Sequence, residues 1–215
     1  MPAMTSTPPV LLRGLLLGLF LHLGLLLLLH PTPTSAPLFG AGSARATLKT
    51  ELLRLSEGTG RGATAPDDVR HDILAAFERL ERLNPTPRPL RSSLLAGTWE
   101  LRYTTSASIS GGGRWDLPRV GPILQILDPA QGTAINAETL ELLGRFRIPR
   151  SVRADLDPRS DQLTAVRFRR FEVGPLGFPA PEKFVGSLDV TYLDEDFRLT
   201  RGDRGNLFVL TRAVD

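Results

Sequence analysis

Few side chains in this sequence could take part in catalysis or bind a metal. The chain contains no cysteine, which excludes disulfides, thiolate metal sites and cysteine nucleophiles. Its three histidines are His22, His30 and His71. His22 and His30 lie in a predicted amino-terminal leader, and His71 lies in a predicted helix where we expect a solvated side chain. We therefore predict no catalytic residue, no metal site and no cofactor.

The densest acidic cluster, residues 194–196, is better suited to a turn than to binding a cation. A calcium loop needs oxygen ligands spaced along a longer segment, and neighbouring residues of an extended chain point to opposite sides. Aspartate side chains can instead accept hydrogen bonds from backbone N–H groups within a turn. The cluster therefore predicts a turn between two strands.

Arginines are concentrated in two segments with an alternating pattern. Arg167, Arg169 and Arg170 lie on one predicted strand, and Arg145 and Arg147 lie on another. Such rows of cations could contact lipid phosphates at a membrane surface, or they could be solvated faces of strands. The sequence leaves both interpretations open.

The distribution of charge disfavours nucleic acid as a partner. The formal net charge is +3, and residues 1–50 contain Arg13, Arg45 and Lys49 but no acidic residue. The basic residues that remain are equal in number to the 23 acidic residues. Nucleic-acid binding needs a strongly basic face, which a neutral domain does not provide. We therefore expect the interior of the fold, rather than a charged surface, to recruit a ligand.

The first 45 residues are predicted to be a targeting leader. Residues 10–36 are signal-like, with a leucine-rich apolar stretch, and residues 37–50 are rich in Ala, Ser, Thr and Gly without an acid, which is typical of transit peptides. This order resembles the bipartite presequences of algae whose plastids lie inside extra membranes. We expect removal of the residues before about Arg45 and a mature domain over residues 46–215. An uncleaved amino-terminal membrane anchor is the alternative.

Two helical segments precede the predicted sheet. Leucines recur at helical spacing over residues 46–57, and Gly58 provides a natural end to that helix. A second helix is predicted from Pro66, which suits a first helical turn, with apolar residues at intervals of three and four as far as Leu80. Each helix must therefore cover an apolar surface.

The hydrophobic period changes from helical to alternating after Leu95, which predicts strands. Nine short strands without intervening helices indicate a sandwich or a barrel, and a closed sheet of eight or nine strands can hold one small ligand. The predicted strands begin with the segment after Gly97, continue with residues 120–127, 132–137, 142–148, 152–156 and 163–173, and end with three closing segments.

The three closing segments, within residues 187–210, are predicted to form a β-meander. The acidic cluster provides its first turn. Gly202 and Gly205 provide the second, and both are expected to adopt positive φ. Just before the meander, residues 174–181 alternate glycine and proline around apolar residues and are predicted to break the sheet as an apolar loop at a barrel mouth.

Four motifs of this chain occur in an order that is shared with one known family. They are GTGRG at residues 58–62, LERLNPTP at 80–87, LAGTWELRYTT at 95–105 and TYLDEDFRLTRGDRGNLFVL at 191–210. Together they resemble the fibrillin family, the plastid lipid-associated proteins of plastoglobules and thylakoids. The resemblance extends over residues 48–211.

This resemblance implies an α+β fold, a lipocalin-like antiparallel β-barrel with amino-terminal helices. It also implies non-enzymatic binding of apolar plastid molecules such as isoprenoids, quinones or carotenoids. The expected partners are such a lipid and the surface of a plastid membrane, a thylakoid or a plastoglobule, and the leader implies that the plastid is reached through a signal-peptide step.

The candidate ligand-binding residues are aromatic and aliphatic side chains of the predicted strands. A pocket for an apolar molecule needs a dry lining with few polar groups. The candidates are Trp99, Leu101, Tyr103, Phe168, Phe171, Tyr192, Phe197 and Phe208. Gly97, Arg201, Gly202 and Gly205 are assigned structural roles.

Trp99 and Arg201 are expected to meet at the closed end of the barrel, as the corresponding pair does in lipocalins. Alternation with Phe197 places Arg201 on the face predicted to be inward, where its guanidinium would stack on the indole ring. A buried guanidinium needs a counter-charge, for which Asp189 and Glu100 are the candidates.

Two other classes of function remain open. An enzyme acting on an isoprenoid or an oxylipin would use an inward carboxylate such as Asp189 together with Tyr192, and its pKa would be raised by apolar surroundings. A structural coat on lipid globules would have a filled barrel and would bind through its outer surface. An interior cavity distinguishes a ligand-binding protein or an enzyme from such a coat, and turnover of a bound lipid distinguishes the enzyme from the binding protein.

Overall fold

The computed structural model describes residues 38–110 and 117–213. The signal-like segment, residues 10–36, lies outside the described residues. Within the described residues no helix combines the length and the hydropathy that crossing a membrane requires.

In the described residues, three helices precede or interrupt the sheet: α1 (Leu38–Ser56), α2 (Asp67–Glu81) and the short α3 (Ala107–Ser110). Helix α1 begins before the predicted start at residue 46 and takes in most of the transit-like segment, in which no proline interrupts the helix. Asp67 and Asp68 lie in the first turn of α2, where carboxylates stabilise the positive end of the helix dipole. Two 3₁₀ turns, Pro89–Arg91 and Ser93–Leu95, lead into the first strand.

Nine antiparallel strands of the described part of the chain form one sheet, in which β1 to β5 and β7 to β9 close into a barrel of eight. The strands are β1 (Gly97–Thr104), β2 (Arg119–Asp128), β3 (Thr133–Leu142), β4 (Phe146–Pro158), β5 (Leu163–Val173), β6 (Leu176–Pro179), β7 (Val185–Leu193), β8 (Phe197–Gly202) and β9 (Leu207–Arg212). The order is β4-β3-β2-β1-β9-β8-β7-β5-β6, and pairing of β4 with β5 closes the barrel. The predicted lipocalin-like antiparallel barrel with amino-terminal helices is confirmed.

Two strand predictions need correction. Residues 142–148 and 152–156, predicted as two strands, belong mainly to the single long strand β4. Residues 174–181, predicted as a loop that breaks the sheet, contain β6, which pairs with the end of β5. Gly174 makes the hairpin possible with a φ of 57°, and its N–H donates to the carbonyl of Pro149 at 2.8 Å, so the hairpin continues the sheet.

The barrel wall separates two apolar cores. The inner core includes Trp99, Leu101, Ile123, Val190 and Leu210. The outer core lies between the barrel and the long helices, and includes Leu48, Leu52, Phe77 and Leu80 together with Tyr103, Tyr192, Phe197 and Leu199 from the strands. Strand β9 contributes to both cores, which explains why its sequence is a continuous apolar run rather than an alternating one.

Two β-bulges move aromatic side chains from the inner face to the outer face. In the β1–β9 pair, Leu101 opposes Leu210 but Tyr103 opposes Val209. One extra residue in β1 therefore reverses the alternation. The β7–β8 pair has the same defect between Val190 and Tyr192, so both tyrosines pack beneath the helices.

The turn between β8 and β9 uses its two glycines for different reasons. Gly205 has a φ of 74°, as predicted. Gly202 has a φ of −88°, so the prediction of positive φ was wrong for this residue. A Cβ atom at Gly202 would lie 2.8 Å from Cε2 of Phe208, and the position therefore requires glycine because an aromatic ring approaches its backbone closely.

Candidate ligand cavity

The barrel encloses a cavity that opens at one end. Its larger lobe has a volume of about 400 Å³, and a smaller lobe has a volume of about 250 Å³. Both lobes are lined by Ile109, Gln125, Asn136, Phe168 and Phe208. Phe184, on the wall of the larger lobe, is 43% exposed. The cavity therefore reaches solvent at the end of the barrel where β4 begins and β5 ends, which we call the mouth.

The part of the cavity nearest the mouth is aromatic. The ring centroids of Phe168 and Phe171 are 6.5 Å apart, and those of Phe171 and Phe184 are 5.7 Å apart. Residues 168 and 171 would normally lie on opposite faces of a strand. A bulge at Arg169 in the β4–β5 pair brings both phenylalanines to the inner face.

Polar side chains line the part of the cavity farther from the mouth. Gln125 Nε2 donates to Asn136 Oδ1 at 3.0 Å, and Arg198 Nη2 donates to Gln125 Oε1. Arg198 is 2% exposed. Burial, together with the nearby Arg212 guanidinium, lowers the pKa of Arg198 to about 9. This group is therefore still positively charged at neutral pH.

Trp99 forms the floor of the barrel. Its side chain is 0% exposed, and its Nε1 donates to the carbonyl of Leu95 at 3.0 Å. The Arg212 guanidinium lies 4.0 Å from the indole centroid and donates to the carbonyls of Ala96 and Leu94 at 2.6 and 2.5 Å. A Cβ atom at Gly97 would lie 2.7 Å from Arg212 Nη1, so glycine at this position gives the guanidinium access to the floor.

Glu138, the carboxylate on the wall of the larger lobe, has both oxygens engaged. Glu138 Oε2 accepts from Arg119 Nε at 2.5 Å, and Glu138 Oε1 pairs with Arg150. Two guanidinium groups therefore occupy both oxygens of this carboxylate. It is therefore poorly suited to act as a general base or acid.

The structure places the predicted ligand-binding residues in three different environments. Leu101, Phe168, Phe171 and Phe208 line the cavity. Trp99 lies beneath it as the floor. The predicted inward orientation of Tyr103, Tyr192 and Phe197 is wrong, because these three side chains pack against the helices in the outer core.

Arg201 is also on the outer face and does not meet Trp99. Its Nε and Nη2 donate to the two carboxylate oxygens of Glu81 at 2.8 and 2.7 Å, and its guanidinium lies 5.3 Å from the Phe77 centroid. Both partners belong to α2. The predicted stacking on Trp99, with Asp189 or Glu100 as counter-charge, is therefore replaced by a helix-to-barrel ion pair.

The carboxylate and tyrosine considered for an enzyme do not form a pair. Asp189 lies on the outer face beside Glu81 and Arg201, where burial, followed by the Glu81 charge, raises its pKa. The hydroxyl of Tyr192 donates instead to Asp194 Oδ2 at 2.5 Å, and burial raises the pKa of this phenol. Neither side chain lines the cavity.

Arg198, Gln125 and Asn136 were not identified as site residues from the sequence. Arg198 alternates with Phe197 and Leu199, so assigning the apolar face to the interior assigned the arginine to solvent. The pattern that could have identified Arg198 is the amphipathic character of the two helices that precede the sheet. Those helices need an apolar barrel surface, and the strand beneath them must then turn its polar residues inward.

Comparisons with known proteins agree with the motifs of the sequence. A sequence model of the PAP_fibrillin family matches residues 46–211. The chain is 37% identical over 185 residues to the probable plastid-lipid-associated protein 5, chloroplastic, of Arabidopsis thaliana, a match that covers 83% of this chain and 74% of the relative.

Two further relatives carry more specific names. The chain is 28% identical to plastoglobulin-1, chloroplastic, of Pisum sativum, over 77% of this chain and 60% of the relative. It is 30% identical to the chromoplast-specific carotenoid-associated protein of Cucumis sativus, over 77% of this chain and 67% of the relative. No solved structure matches the chain significantly.

Proposed function

The chain belongs to the PAP_fibrillin family and is a plastid lipid-associated protein, and we propose that its barrel binds an apolar isoprenoid, quinone or carotenoid-type molecule. The observation that carries this proposal is the interior cavity of about 400 Å³, which falls within the usual size of small-molecule pockets. A protein that only coats lipid globules does not need such an interior. The names of the relatives, which refer to lipid and carotenoid association, support the same class of ligand.

Binding of a fluorescent isoprenoid analogue is expected to depend on the aromatic wall of the cavity. Phe168→Asp places a charge in an apolar site and should weaken binding at least about tenfold, because an unpaired buried charge is strongly unfavourable. Ile126→Asp is the matched control, since Ile126 follows the inward Gln125 on β2 and is 38% exposed. Fluorescence titration measures both, and circular dichroism verifies that each variant is folded.

Salt provides the complementary measurement for this site. A rise in ionic strength above ~0.1 M screens exposed charges beyond about 10 Å and should leave binding in the cavity largely unchanged. Loss of binding in salt together with unchanged binding by Phe168→Asp would contradict the proposal. Lipid extraction and mass spectrometry of the protein purified from plastids would then identify the ligand, and chemical conversion of that ligand on incubation would favour an enzyme.

The end of the barrel around the mouth supports a defined mode of membrane association. Exposed apolar side chains lie on the β3–β4 hairpin, on the β5–β6 hairpin and at the start of β7. We call them the mouth rim: Leu143, Phe146, Leu176, Phe178, Phe184 and Val185, with exposed fractions between 43% and 79%. Apolar clusters of this kind usually mark an interaction surface.

Basic residues surround the mouth rim. Residues 138–153 and 167–185 contain the basic side chains Arg145, Arg147, Arg150, Arg153, Arg167, Arg169, Arg170 and Lys183, and only the acidic side chains Glu138, Glu141, Glu172 and Glu182. The rest of the domain must therefore be acidic, because the chain after residue 50 is neutral overall. Apolar residues within a basic surround are complementary to the anionic headgroups and acyl chains of a lipid surface.

Individual contacts identify the basic groups that are available to lipid. Arg169 is bridged to Asp155 at 2.5 Å and Arg170 to Glu172 at 3.1 Å, so this part of the predicted arginine strand is largely neutralised. Among residues 38–110 and 117–213, Arg145, Arg147 and Lys183 form no ion pair. We propose that the mouth rim docks on an anionic lipid surface, with these three cations at the headgroups.

Sedimentation with lipid vesicles is expected to depend on the mouth rim. The double variant Leu143→Asp/Leu176→Asp should reduce binding to vesicles containing an anionic phospholipid by about 10- to 100-fold, because each leucine contributes roughly 1 kcal/mol or more on insertion. Leu163→Asp is the control, since Leu163 is 38% exposed at the opposite end of the barrel. Docking through the mouth would be contradicted if Leu163→Asp lost as much vesicle binding as the double variant, or if the double variant bound vesicles as well as the wild type.

A further inference from the structure

Arg198 is a fully buried basic group that no carboxylate accompanies in the described part of the chain. Other basic groups that are wholly or partly buried do have such a partner. Arg119 is paired with Glu138, Lys49 with Asp194, and Arg201 with Glu81. No carboxylate in the described part of the chain forms an ion pair with Arg198. Its contacts are with Gln125 and with the Trp99 ring, whose centroid is 4.9 Å from the guanidinium carbon. A buried cation without a counter-charge is energetically costly.

Two hydrogen-bonding groups, on Arg198 and Thr200, have no partner in the described part of the chain, and both face the smaller lobe of the cavity. Within the described residues, Arg198 Nε and Thr200 Oγ1 are buried and have no hydrogen-bond partner. Both residues line the smaller lobe of the cavity. They are two apart on β8 and therefore lie on one face of the strand. The lobe thus offers a guanidinium N–H and a hydroxyl to a ligand that enters the barrel.

We propose that the smaller lobe binds the carboxylate of a long-chain amphiphile, such as a fatty acid, through Arg198 and Thr200. The tail occupies the larger, aromatic lobe. This inference rests on the proposed function, because it assigns the polar group of the molecule that the cavity would hold.

The chemistry around Arg198 and Thr200 favours a carboxylate over other polar groups. Asp203 also lines this lobe, but it follows β8 at the mouth end and forms no ion pair with Arg198 in the described part of the chain. A neutral ketone or quinone can accept a hydrogen bond, but it leaves the positive charge of Arg198 uncompensated. A phosphomonoester carries nearly two negative charges at neutral pH, of which one guanidinium neutralises only one. A carboxylate carries one charge and matches the planar geometry of a guanidinium.

A polyene fatty acid and its methyl ester provide the test, since they differ only in the charge of the head. cis-Parinaric acid is expected to bind the wild-type protein about 10- to 100-fold more tightly than its methyl ester. This ratio is the usual contribution of a hydrogen bond to a charged group, which the ester cannot make. Arg198→Met should remove this preference and still bind the ester. Arg102→Met is the control and should keep the preference, because Arg102 lies on β1 outside the cavity, is half-exposed and pairs with Glu100.

The melting temperature separates a ligand-binding role from a structural one. If Arg198 serves the ligand, Arg198→Met should not lower the melting temperature of the protein without added lipid, because it removes an uncompensated charge. A large drop, with the acid preference retained, would overturn the inference. Should Arg198→Met fail to fold, Thr200→Val tests the same site, with an expected decrease of about fivefold in the preference for the acid.

The outcomes also distinguish this inference from the proposed function. Equal binding of the acid and the ester to the wild type would overturn the carboxylate assignment and leave the cavity as an apolar binding site. Binding of neither probe, together with no binding of the isoprenoid analogue, would overturn both proposals.

Discussion

Trp99→Ala is expected to lower the free energy of unfolding by about 3–5 kcal/mol, the usual cost of removing a large buried ring. The side chain is 0% exposed, and alanine would leave a cavity at the barrel floor. The substitution also removes the hydrogen bond to Leu95 and the surface on which Arg212 lies. Denaturant unfolding of the purified domain measures the effect. Trp99→Phe, which keeps a ring at the floor, should cost less.

A double-mutant cycle tests the arrangement at the floor. Trp99→Ala combined with Arg212→Met should depart from additivity by about 1 kcal/mol, because the two side chains are in contact. Trp99→Ala combined with Arg201→Met should be additive within ~0.5 kcal/mol, since Arg201 lies on the outer face with Glu81. Coupling of Trp99 to Arg201 in place of Arg212 would show that the two faces of the barrel have been assigned wrongly.

The second large effect is expected for Asp194→Asn, with a loss of about 3 kcal/mol in the free energy of unfolding. Asp194 is 5% exposed. Its Oδ2 accepts from the Tyr192 hydroxyl at 2.5 Å and from Lys49 Nζ at 2.9 Å, and its Oδ1 accepts from the backbone N–H of Phe197 at 2.8 Å. An asparagine replaces one of these acceptors with a donor, so at least one buried donor loses its partner.

The same carboxylate predicts how stability changes with pH. Burial alone would raise the pKa of Asp194, but hydrogen bonds from Tyr192 and Lys49 outweigh burial and lower it. The unfolded chain, with a carboxyl pKa of about 3.9, therefore takes up the proton first as the pH falls. The contribution of Asp194 is present above about pH 4 and is lost as the pH falls further. The difference in stability between wild type and Asp194→Asn should shrink in that range.

Asp196 provides the matched control for this prediction. It also contacts Lys49, with its Oδ1 2.5 Å from Nζ, but its side chain is 68% exposed. Exposed ion pairs typically contribute less than about 1 kcal/mol. Asp196→Asn should therefore have a small effect, and an effect as large as that of Asp194→Asn would mean that charge, rather than the buried hydrogen bonds, stabilises this turn.

The sequence predicts the periodicity of the closing strands, but it does not predict which part of the molecule covers each face of a strand. Phe197, Leu199 and Arg201 do share one face of β8, as alternation predicts. That face is covered by α1 and α2 and not by the opposite barrel wall. Alternation reports that one side of a strand is buried, and it carries no information on whether helices or other strands cover that side.

β-Bulges explain most of the other differences between the side-chain orientations expected from alternation and those found around the cavity. Tyr103 and Tyr192 keep the alternating spacing of inward residues, yet one extra residue in each strand turns them outward. The opposite occurs at Phe168 and Phe171, which the bulge at Arg169 brings to one face. A bulge depends on the register between two paired strands, so local spacing could not predict these three bulges.

The opposite placement of the mouth and Arg198 determines the order in which the parts of a lipid would cross into the barrel. A lipid in a leaflet has its head at the interface and its tail directed toward the middle of the membrane. With the mouth rim at that interface, the head would leave the membrane first and the tail would follow, without any reversal of the molecule. Delivery would take the reverse route, so that the tail regains the hydrocarbon before the head leaves the guanidinium. Extraction and delivery would then be a single sliding motion along one axis, with no tumbling of the lipid in water.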